Sequence, residues 1–282
     1  MLYVPQSEIE DNAMVALRED IGSGDITAEL IPEDEIVLAS VITREACVFC
    51  GMDWFEEVFR QVNDEVFIEW NIEDGEHIEA NATLCSISGS ARSILTAERT
   101  ALNFIQLLSA TATLSSRYAQ AVEGTGAIVL DTRKTIPGLR LAQKYAVSCG
   151  GCQNHRIGLY DAILIKENHI VAHGSIAGAV EEAKFLYPDT MVEVEAENID
   201  EFSQALNAGA RRVLLDNFSL DDLREAVSIN NKKPDNEKIE LEASGGVTLE
   251  NIHSIAQTGV DYISTGALTK DVQAIDLSMR IM

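Results

Sequence analysis

The sequence predicts an α/β protein with an N-terminal α/β sandwich and a C-terminal, incomplete, six-stranded (β/α) barrel. Two observations predict this class. In the first half, short β-like runs surround helical segments, which is typical of strands packed on helices. In the second half, near-continuous apolar runs alternate with helical segments, which is typical of parallel βα units. The 282 residues can form two domains, which we expect at 1–115 and 116–282, with the extreme C-terminus packing back on the sandwich.

The first half begins with a predicted helix over 7–18, where Ile9, Ala13, Val15 and Ala16 form an apolar stripe. A second helix is predicted over 54–62. From residue 93 to about residue 122 a long helical pattern follows, with regularly spaced leucine and isoleucine anchors. The β-like runs between these helices cover 36–42, 46–51, 65–70 and 83–89.

The second half contains six apolar runs that read as strands. They cover 127–131, 161–166, 191–197, 211–217, 239–244 and 261–266, with helical segments at 176–186, 199–209 and 220–229. Six βα units are fewer than the usual eight, which predicts an incomplete barrel. An open doubly wound sheet is the alternative. No G-x-G-x-x-G follows the first of these strands, so the chain carries no dinucleotide-binding fingerprint.

Composition excludes several classes of function. A formal net charge of -25 argues against nucleic acid as a partner. The N-terminus has no basic region followed by an apolar core, and no apolar run approaches the ~20 residues that span a bilayer. We therefore expect no membrane partner and a cytoplasmic location, where the five cysteines would be thiols. Cys47/Cys50 and Cys149/Cys152 have C-x-x-C spacing, which leaves a zinc site or a redox pair as weaker alternatives.

One stretch of the chain departs from the acidic average. Residues 131–166 carry a net charge of +4, so the remainder carries -29. The cations are Arg133, Lys134, Arg140, Lys144, Arg156 and Lys166. A cationic segment in an acidic protein indicates an anionic ligand. Arg140 and Lys144, four residues apart, are predicted to be solvated on a helix surface, whereas Arg133, Lys134 and Lys166 adjoin apolar runs.

Each predicted strand of the second half ends in a polar or reactive group. These groups are Asp131 to Lys134, Lys166, Glu193 to Glu197, Asp216, Ser244 to Gly246, and Thr265 with Gly266. In parallel βα folds the carboxyl ends of the strands carry the active site. Any one of these residues could simply begin a loop. Six in succession favour a site.

The residue types suggest distinct roles. Arginine and lysine hold carboxylates or phosphates, and Glu195 and Asp216 offer the oxygen ligands that Mg²⁺ takes beside a phosphate. Glu193, Glu195 and Glu197 alternate, so they face one side of the strand, which is costly unless cations or a metal compensate them. The Gly-containing loops at 244–246 and 265–266 can present backbone N–H groups to a phosphate.

The sequence does not assign one role to each histidine. His155 could be a general acid or base, an anion donor or a packed imidazole. His169 and His173 are four residues apart, but the loop-like start of their segment and the lack of an HExxH glutamate favour surface or structural roles.

Several segments together resemble the quinolinate phosphoribosyltransferases, also called nicotinate-nucleotide pyrophosphorylases (carboxylating). They are DTRKTIPGLR, CGGCQNHRIGLYDAILIKENHI, VEVEAEN, LLDN, EASGGV and STGALT, with SGDITAELIP and AERTALNFIQLLSATAT in the first half. The resemblance spans essentially the whole chain. In one departure, Cys152 stands where the family has a third glycine, and it would strain the loop if that position required a positive φ.

The resemblance implies a glycosyltransferase, more narrowly a pentosyltransferase, of de novo NAD synthesis. Quinolinate and phosphoribosyl pyrophosphate would give nicotinate mononucleotide, pyrophosphate and CO₂, with Mg²⁺ as cofactor. It also implies a homodimer in which the sandwich of one subunit closes the barrel of the other, with a hexamer as the larger alternative.

The resemblance also implies the site. Arg133, His155, Arg156 and Lys166 would hold the quinolinate carboxylates, and Arg99 would reach in from the partner subunit. Lys134, Glu195 and Asp216 would be catalytic and face phosphoribosyl pyrophosphate, the last two near Mg²⁺. Ser244, Gly245, Gly246 and Gly266 would hold the 5′-phosphate, and Thr132 and Thr265 complete the substrate-binding set.

Three other functions stay open at this point. One is a relative of the same fold that acts on a different pyridine or in metal-cofactor metabolism. Another is a Schiff-base aldolase that uses Lys166 or Lys134. The last is a non-catalytic binding protein, against which the complete set of cations argues.

Overall fold

A computed structural model describes all 282 residues. The chain forms two compact units, the first comprising residues 1–116, 135–151 and 268–282 and the second residues 117–134 and 152–267. No helix combines the length and apolar character needed to cross a membrane.

The helices are α1 (Gln6–Ile21), α2 (Met52–Val62), α3 (Ala91–Ala121), α4 (Arg140–Cys149), α5 (Glu167–His173), α6 (Ile176–Leu186), α7 (Ile199–Asn207), α8 (Leu220–Asn231), α9 (Ile252–Ala256) and α10 (Ala267–Lys270). The strands are β1 (Ile36–Thr43), β2 (Cys47–Val48), β3 (Phe67–Trp70), β4 (His77–Ile78), β5 (Thr83–Ser90), β6 (Ile128–Leu130), β7 (Ile163–Ile165), β8 (Val192–Ala196), β9 (Arg212–Asp216), β10 (Glu240–Ser244), β11 (Tyr262–Ser264) and β12 (Leu277–Ile281).

The first unit is built on an antiparallel sheet of order β12-β1-β5-β3. Three of the four predicted strands of this half lie in it. The fourth, predicted over 46–51, is confined to β2, because Gly51 takes a left-handed conformation at the start of α2. The sequence pattern did not predict β12, which pairs with the edge of β1.

Helices cover this sheet with apolar stripes at helical spacing. In α1, Ile9, Ala13 and Leu17 are buried at intervals of four residues. The large buried side chains of the other two helices are Trp54, Phe55 and Phe59 in α2 and Ile94, Leu102, Ile105 and Leu108 in α3. Burial of each large apolar side chain stabilises the fold by about 1.5–3 kcal/mol. The predicted sandwich of strands and helices is therefore confirmed.

Helix α4 shows that one prediction was wrong. Lys144 was expected on a solvated surface, but its side chain is fully buried. It lies with Ala142, Ala146 and Val147 on the buried part of the helix. The spacing of Arg140 and Lys144 indicates that they share a face, but it does not indicate which face is packed.

The second unit is built on a parallel sheet of order β6-β11-β10-β9-β8-β7. Strands β6 and β7 lie at opposite ends of this order, so the sheet is an incomplete barrel, as predicted. Helices α6, α7 and α8 begin where Ser175, Asn198 and Ser219 accept hydrogen bonds from backbone N–H groups of the first turn. The parallel order brings the carboxyl ends of all six strands to one edge.

The segment after β7 is helical, not the loop expected from its sequence. His169 Nδ1 accepts the backbone N–H of Lys166 at 3.0 Å and so caps α5. His173 Nε2 lies 2.7 Å from Glu182 Oε2. The two histidines therefore serve the structure of α5 and its neighbour α6.

All five cysteines are free thiols, as the sequence predicts. The residues other than glycine with positive φ are Asn81 and Asn217. Cys152 is not among them, so the strain considered for this position does not arise.

Candidate active site

The strand ends of the second unit bring together all the predicted site residues except Arg99. Thr132, Arg133 and Lys134 follow β6, and Lys166 follows β7. Glu195 lies within β8, Asp216 ends β9, and the two glycine-containing loops follow β10 and β11. Arg99 lies in α3, in the first unit. This edge is where parallel barrels carry their active sites.

The loop that carries Arg156 is held by two aspartates. The carboxylate of the fully buried Asp131 accepts the Asn154 side-chain amide at 2.7 Å and the His155 backbone N–H at 2.9 Å. Asp161 accepts the backbone N–H groups of Ile157 and Gly158 at 2.7 and 2.9 Å. The only two acids of the cationic segment are therefore the groups that shape its loop.

Arg133 and Arg156 are like charges held in proximity. Burial, and next the positive charge of Arg133, lowers the pKa of Arg156. The Arg156 guanidinium also donates to the carbonyl oxygen of Ala162 at 3.3 Å. An anion bound between the two arginines would relieve their repulsion, so this pair has the electrostatics of a carboxylate or phosphate site.

Lys166 and Glu195 form an ion pair across β7 and β8. Asp216 accepts the Asn217 side-chain amide at 2.9 Å. Glu195 is paired in register with Leu214, so Asp216 lies two residues further toward the strand ends on the adjacent strand. The ammonium of Lys166 is already paired with a carboxylate, so it is better suited to supply positive charge than to act as a nucleophile.

The glycine-containing loops have no room for side chains. Gly245 has a φ of +95°, and a Cβ atom there would lie 2.2 Å from the Asn217 Oδ1 atom. A Cβ atom on Gly266 would lie 2.8 Å from Cδ of Lys134. Bare backbone beside a lysine is the arrangement that binds a phosphate closely.

Beneath the strand ends lies a group of charged side chains that we call the buried His–Glu cluster: His155, Glu193, Glu242 and Arg212. The His155 Nε2 atom lies 3.0 Å from Glu193 Oε2 and 3.5 Å from Glu242 Oε2. Arg212 Nη1 lies 3.4 Å from Glu242 Oε2. Both glutamate side chains are fully buried and the His155 side chain is 7% exposed, so water does not compensate these charges.

Burial and hydrogen bonds shift the pKa values of the titratable groups in the cluster. Burial opposes a charged imidazole and lowers the pKa of His155, whereas hydrogen bonds to Glu193 and Glu242 raise it. A second ring proton would have to enter at Nδ1, which already accepts the Arg156 backbone N–H at 2.8 Å. Burial raises the pKa of Glu193 to about 7. For Glu242, burial is outweighed by hydrogen bonds and by Arg212, which lower its pKa.

The three alternating glutamates of β8 have three different environments. Glu193 enters the cluster, Glu195 pairs with Lys166, and Glu197 is exposed. The expectation that inward acids need compensation holds for the first two. Sequence reasoning assigned no role to Asp131, Asp161, Arg212 or Glu242. The alternation of acids in β10 and the arginine at the start of β9 were the available signals for the last two.

The first unit contains an open groove of about 430 Å³ between α1, α3 and residues 137–139. The charged side chains that line it are Asp11, Glu19 and Asp20. An acidic groove disfavours an anionic substrate, so the strand ends of the second unit remain the candidate active site.

Comparison with known proteins identifies the family. Residues 25–109 match the family described as Quinolinate phosphoribosyl transferase, N-terminal domain, and residues 111–280 match its C-terminal domain. The nicotinate-nucleotide pyrophosphorylase [carboxylating] of Mycobacterium leprae is 39% identical over 277 residues, covering 95% of each chain. Quinolinate phosphoribosyltransferase [decarboxylating] 1 of Nicotiana glauca is 39% identical over 98% of this chain and 83% of its own length.

A solved structure gives the same result. The nicotinate-nucleotide pyrophosphorylase of Francisella tularensis superposes with a TM-score of 0.95 at 49% identity, over 99% of this chain and 98% of its own. Both halves of the sequence, the two sheets and the charged strand ends thus agree with one assignment: the chain belongs to the quinolinate phosphoribosyltransferase family.

Proposed function

We propose that this protein transfers the phosphoribosyl group of phosphoribosyl pyrophosphate to quinolinate and releases CO₂. The products are nicotinate mononucleotide and pyrophosphate, as in de novo NAD synthesis. Membership of the family supports the reaction. The observation that carries it is the cationic edge of the second unit, where Arg133 and Arg156 repel each other and Lys134 and Lys166 follow the ends of β6 and β7, because a pyridine dicarboxylate and a polyphosphate both require such a site.

Quinolinate is the substrate for the arginine pair. Arg133, Arg156 and Lys166 would hold its two carboxylates, and Arg99 of the partner subunit would complete the set. The imidazole of His155 belongs by resemblance to the same group, although its ring lies among buried carboxylates.

Phosphoribosyl pyrophosphate fits the other half of the edge. The backbone of Ser244 to Gly246 and of Thr265 with Gly266 would hold the 5′-phosphate, and Thr132 lies beside Lys134, whose N–H it accepts at 3.1 Å. Glu195 and Asp216 fit Mg²⁺, because carboxylate oxygens from adjacent strands are the ligands it takes together with water and phosphate. The bound ion would neutralise the charge that develops on departing pyrophosphate.

The reaction then needs no covalent enzyme intermediate. The pyridine nitrogen attacks the anomeric carbon as the bond to pyrophosphate breaks, and Glu195 and Asp216 stabilise the positive charge at that carbon. The quaternised ring accepts the electron pair of the adjacent carboxylate as CO₂ leaves, and one proton replaces it. Lys134 and Lys166 supply positive charge throughout.

We also propose a homodimer with shared active sites, or a hexamer built from such dimers, and a cytoplasmic location. The presence of Arg99 in the first unit supports a shared site. Five free thiols are consistent with a reducing compartment.

Purified protein supplied with quinolinate, phosphoribosyl pyrophosphate and Mg²⁺ should form nicotinate mononucleotide and CO₂ in equal amounts. Nicotinate in place of quinolinate is the matched control and should give no product. Turnover of nicotinate but not quinolinate would refute the assignment. Borohydride should trap no substrate adduct; an adduct on Lys166 or Lys134 would favour a Schiff-base enzyme.

A further inference from the structure

The imidazole of His155 has contacts on both of its ring nitrogens. Nδ1 accepts the backbone N–H of Arg156 at 2.8 Å, so the ring proton is on Nε2. That edge of the ring points at two buried carboxylates, Glu193 and Glu242. A ring that is 7% exposed and engaged at both nitrogens is placed to orient its neighbours rather than to hold a ligand.

The neighbour it orients is Arg156. The N–H that reaches Nδ1 belongs to the peptide between His155 and Arg156, so the direction of the ring fixes the plane of that peptide. The plane in turn restricts the directions in which the Arg156 side chain can leave the backbone. Because Arg133 repels its guanidinium, Arg156 in the unliganded protein depends on the loop for its position.

We propose that Glu242 and Glu193 are positioning residues for quinolinate, which act through the ring of His155 to direct the guanidinium of Arg156 at a substrate carboxylate. This rests on the proposed function, in which Arg156 binds that carboxylate. The two glutamates would touch no substrate atom. They would fix the imidazole tautomer, and with it the loop.

Arg212 keeps Glu242 in place. It donates to Glu242 and, through Nε and Nη2, to Glu240 at 2.9 and 2.8 Å. Its guanidinium carbon lies 3.9 Å above the Tyr262 ring. Barrel interiors are usually filled by Val, Ile and Leu. Two fully buried carboxylates are costly there without cationic partners; His155 lies against both of them, and Arg212 lies against Glu242.

A metal ion is the competing explanation of the cluster. One donor atom each from His155, Glu193 and Glu242 lie within 4.8 Å of one another. The Arg212 guanidinium, however, already provides positive charge 3.4 Å from Glu242. We therefore treat the cluster as an ion-pair network.

The chain offers a matched pair of variants. Glu242→Gln removes the charge that faces His155. Glu240→Gln removes the other carboxylate bound by Arg212, which has no contact with His155 and is 39% exposed. The KM for quinolinate, the KM for phosphoribosyl pyrophosphate and kcat are measured for both variants and the wild type. The ¹⁵N shifts of His155 in the ligand-free proteins report its tautomer independently of turnover.

We expect Glu242→Gln to raise the KM for quinolinate about tenfold or more, since small misplacements of a binding group are costly. The KM for phosphoribosyl pyrophosphate should stay unchanged. Wild-type His155 should be the Nε2–H tautomer, and Glu242→Gln should lose it. Glu240→Gln should change neither readout. If Glu242→Gln does not fold, Glu193→Gln is the second test, with the same expectations.

Several results would overturn the inference. One is an unchanged KM for quinolinate in the folded variant. Another is an equal rise of the KM values for both substrates, because that would indicate a general disturbance of the active site. A wild-type Nδ1–H tautomer, or a His155 spectrum altered by EDTA, would also refute it. Lack of wild-type turnover with quinolinate would refute the proposed function instead, and the tautomer comparison would still decide whether the glutamates fix the ring.

Discussion

Asp131 offers the most direct test of how the active-site loop is held. Its carboxylate is fully buried and accepts two hydrogen bonds from the loop, one of them from the His155 backbone N–H at 2.9 Å. In Asp131→Asn one acceptor oxygen becomes an NH₂ group, so one of the two donors loses its partner inside the protein. Asp161→Asn is the matched control, because Asp161 also accepts two loop N–H groups but is exposed to water.

The magnitude follows from burial. A hydrogen bond to a charged group contributes about 1.5–3 kcal/mol, and one such bond is lost inside the protein, so the loop should lose about 1.5–3 kcal/mol of local stability. Tenfold corresponds to about 1.4 kcal/mol, so the His155 amide should exchange with solvent about 10- to 150-fold faster in Asp131→Asn. At the Asp161 site water can replace the lost bond, and the change should be less than about tenfold.

Native-state hydrogen exchange followed by NMR measures this directly, because it reads the loop rather than global unfolding of a chain with two units. Amides of β9 and β10, away from the loop, report any general destabilisation. Equal acceleration in Asp131→Asn and Asp161→Asn would refute the reasoning, since burial would then not make Asp131 stabilise the loop more than Asp161 does. So would an acceleration that is the same in the loop and in β10.

Three further outcomes are expected. Gly245→Ala should raise the KM for phosphoribosyl pyrophosphate about tenfold or more, because a Cβ atom there meets the Asn217 side chain at 2.2 Å at a φ of +95°; an unchanged KM would remove this loop from the phosphate site. Arg99→Ala and Lys166→Ala, each inactive alone, should regain activity when mixed as heterodimers; no recovery would exclude a shared site. For Glu57, burial is outweighed by hydrogen bonds from Arg60 and Gln61, which lower its pKa. Its stabilising contribution is therefore present above the unfolded pKa of about 4.5 and lost as pH falls through the lower folded value, so urea unfolding of Glu57→Gln should be less sensitive to pH between 3 and 5 than that of the wild type.

The strands of the barrel and the residues at their ends follow from the sequence because both depend on local pattern. Continuous apolar runs predict parallel strands, and in such a sheet every carboxyl end lies at the same edge. The motifs then place Arg133, Lys166 and Glu195 there before any side chain is positioned. Helices with Ser or Asn caps were predicted well for the same reason.

What the sequence did not reveal depends on contacts between distant residues. Lys144 is buried because α4 packs that face, which the spacing of charges does not encode. Glu242 and Arg212 act on His155 from strands far along the chain. The strand β12 has an ordinary alternating sequence and is recognised only by its pairing with β1.

The open side of the barrel has a consequence for aggregation. The outer edge of β6 is covered by the active-site loop, since Gln153 donates to the Val129 carbonyl at 2.9 Å and accepts the Asp131 N–H at 3.1 Å. Opening of this loop would uncover an apolar strand with unpaired backbone groups, the kind of surface on which sheets of separate molecules join. Loss of order in this loop would therefore favour association between molecules. A bound substrate that stabilises the loop would oppose that association.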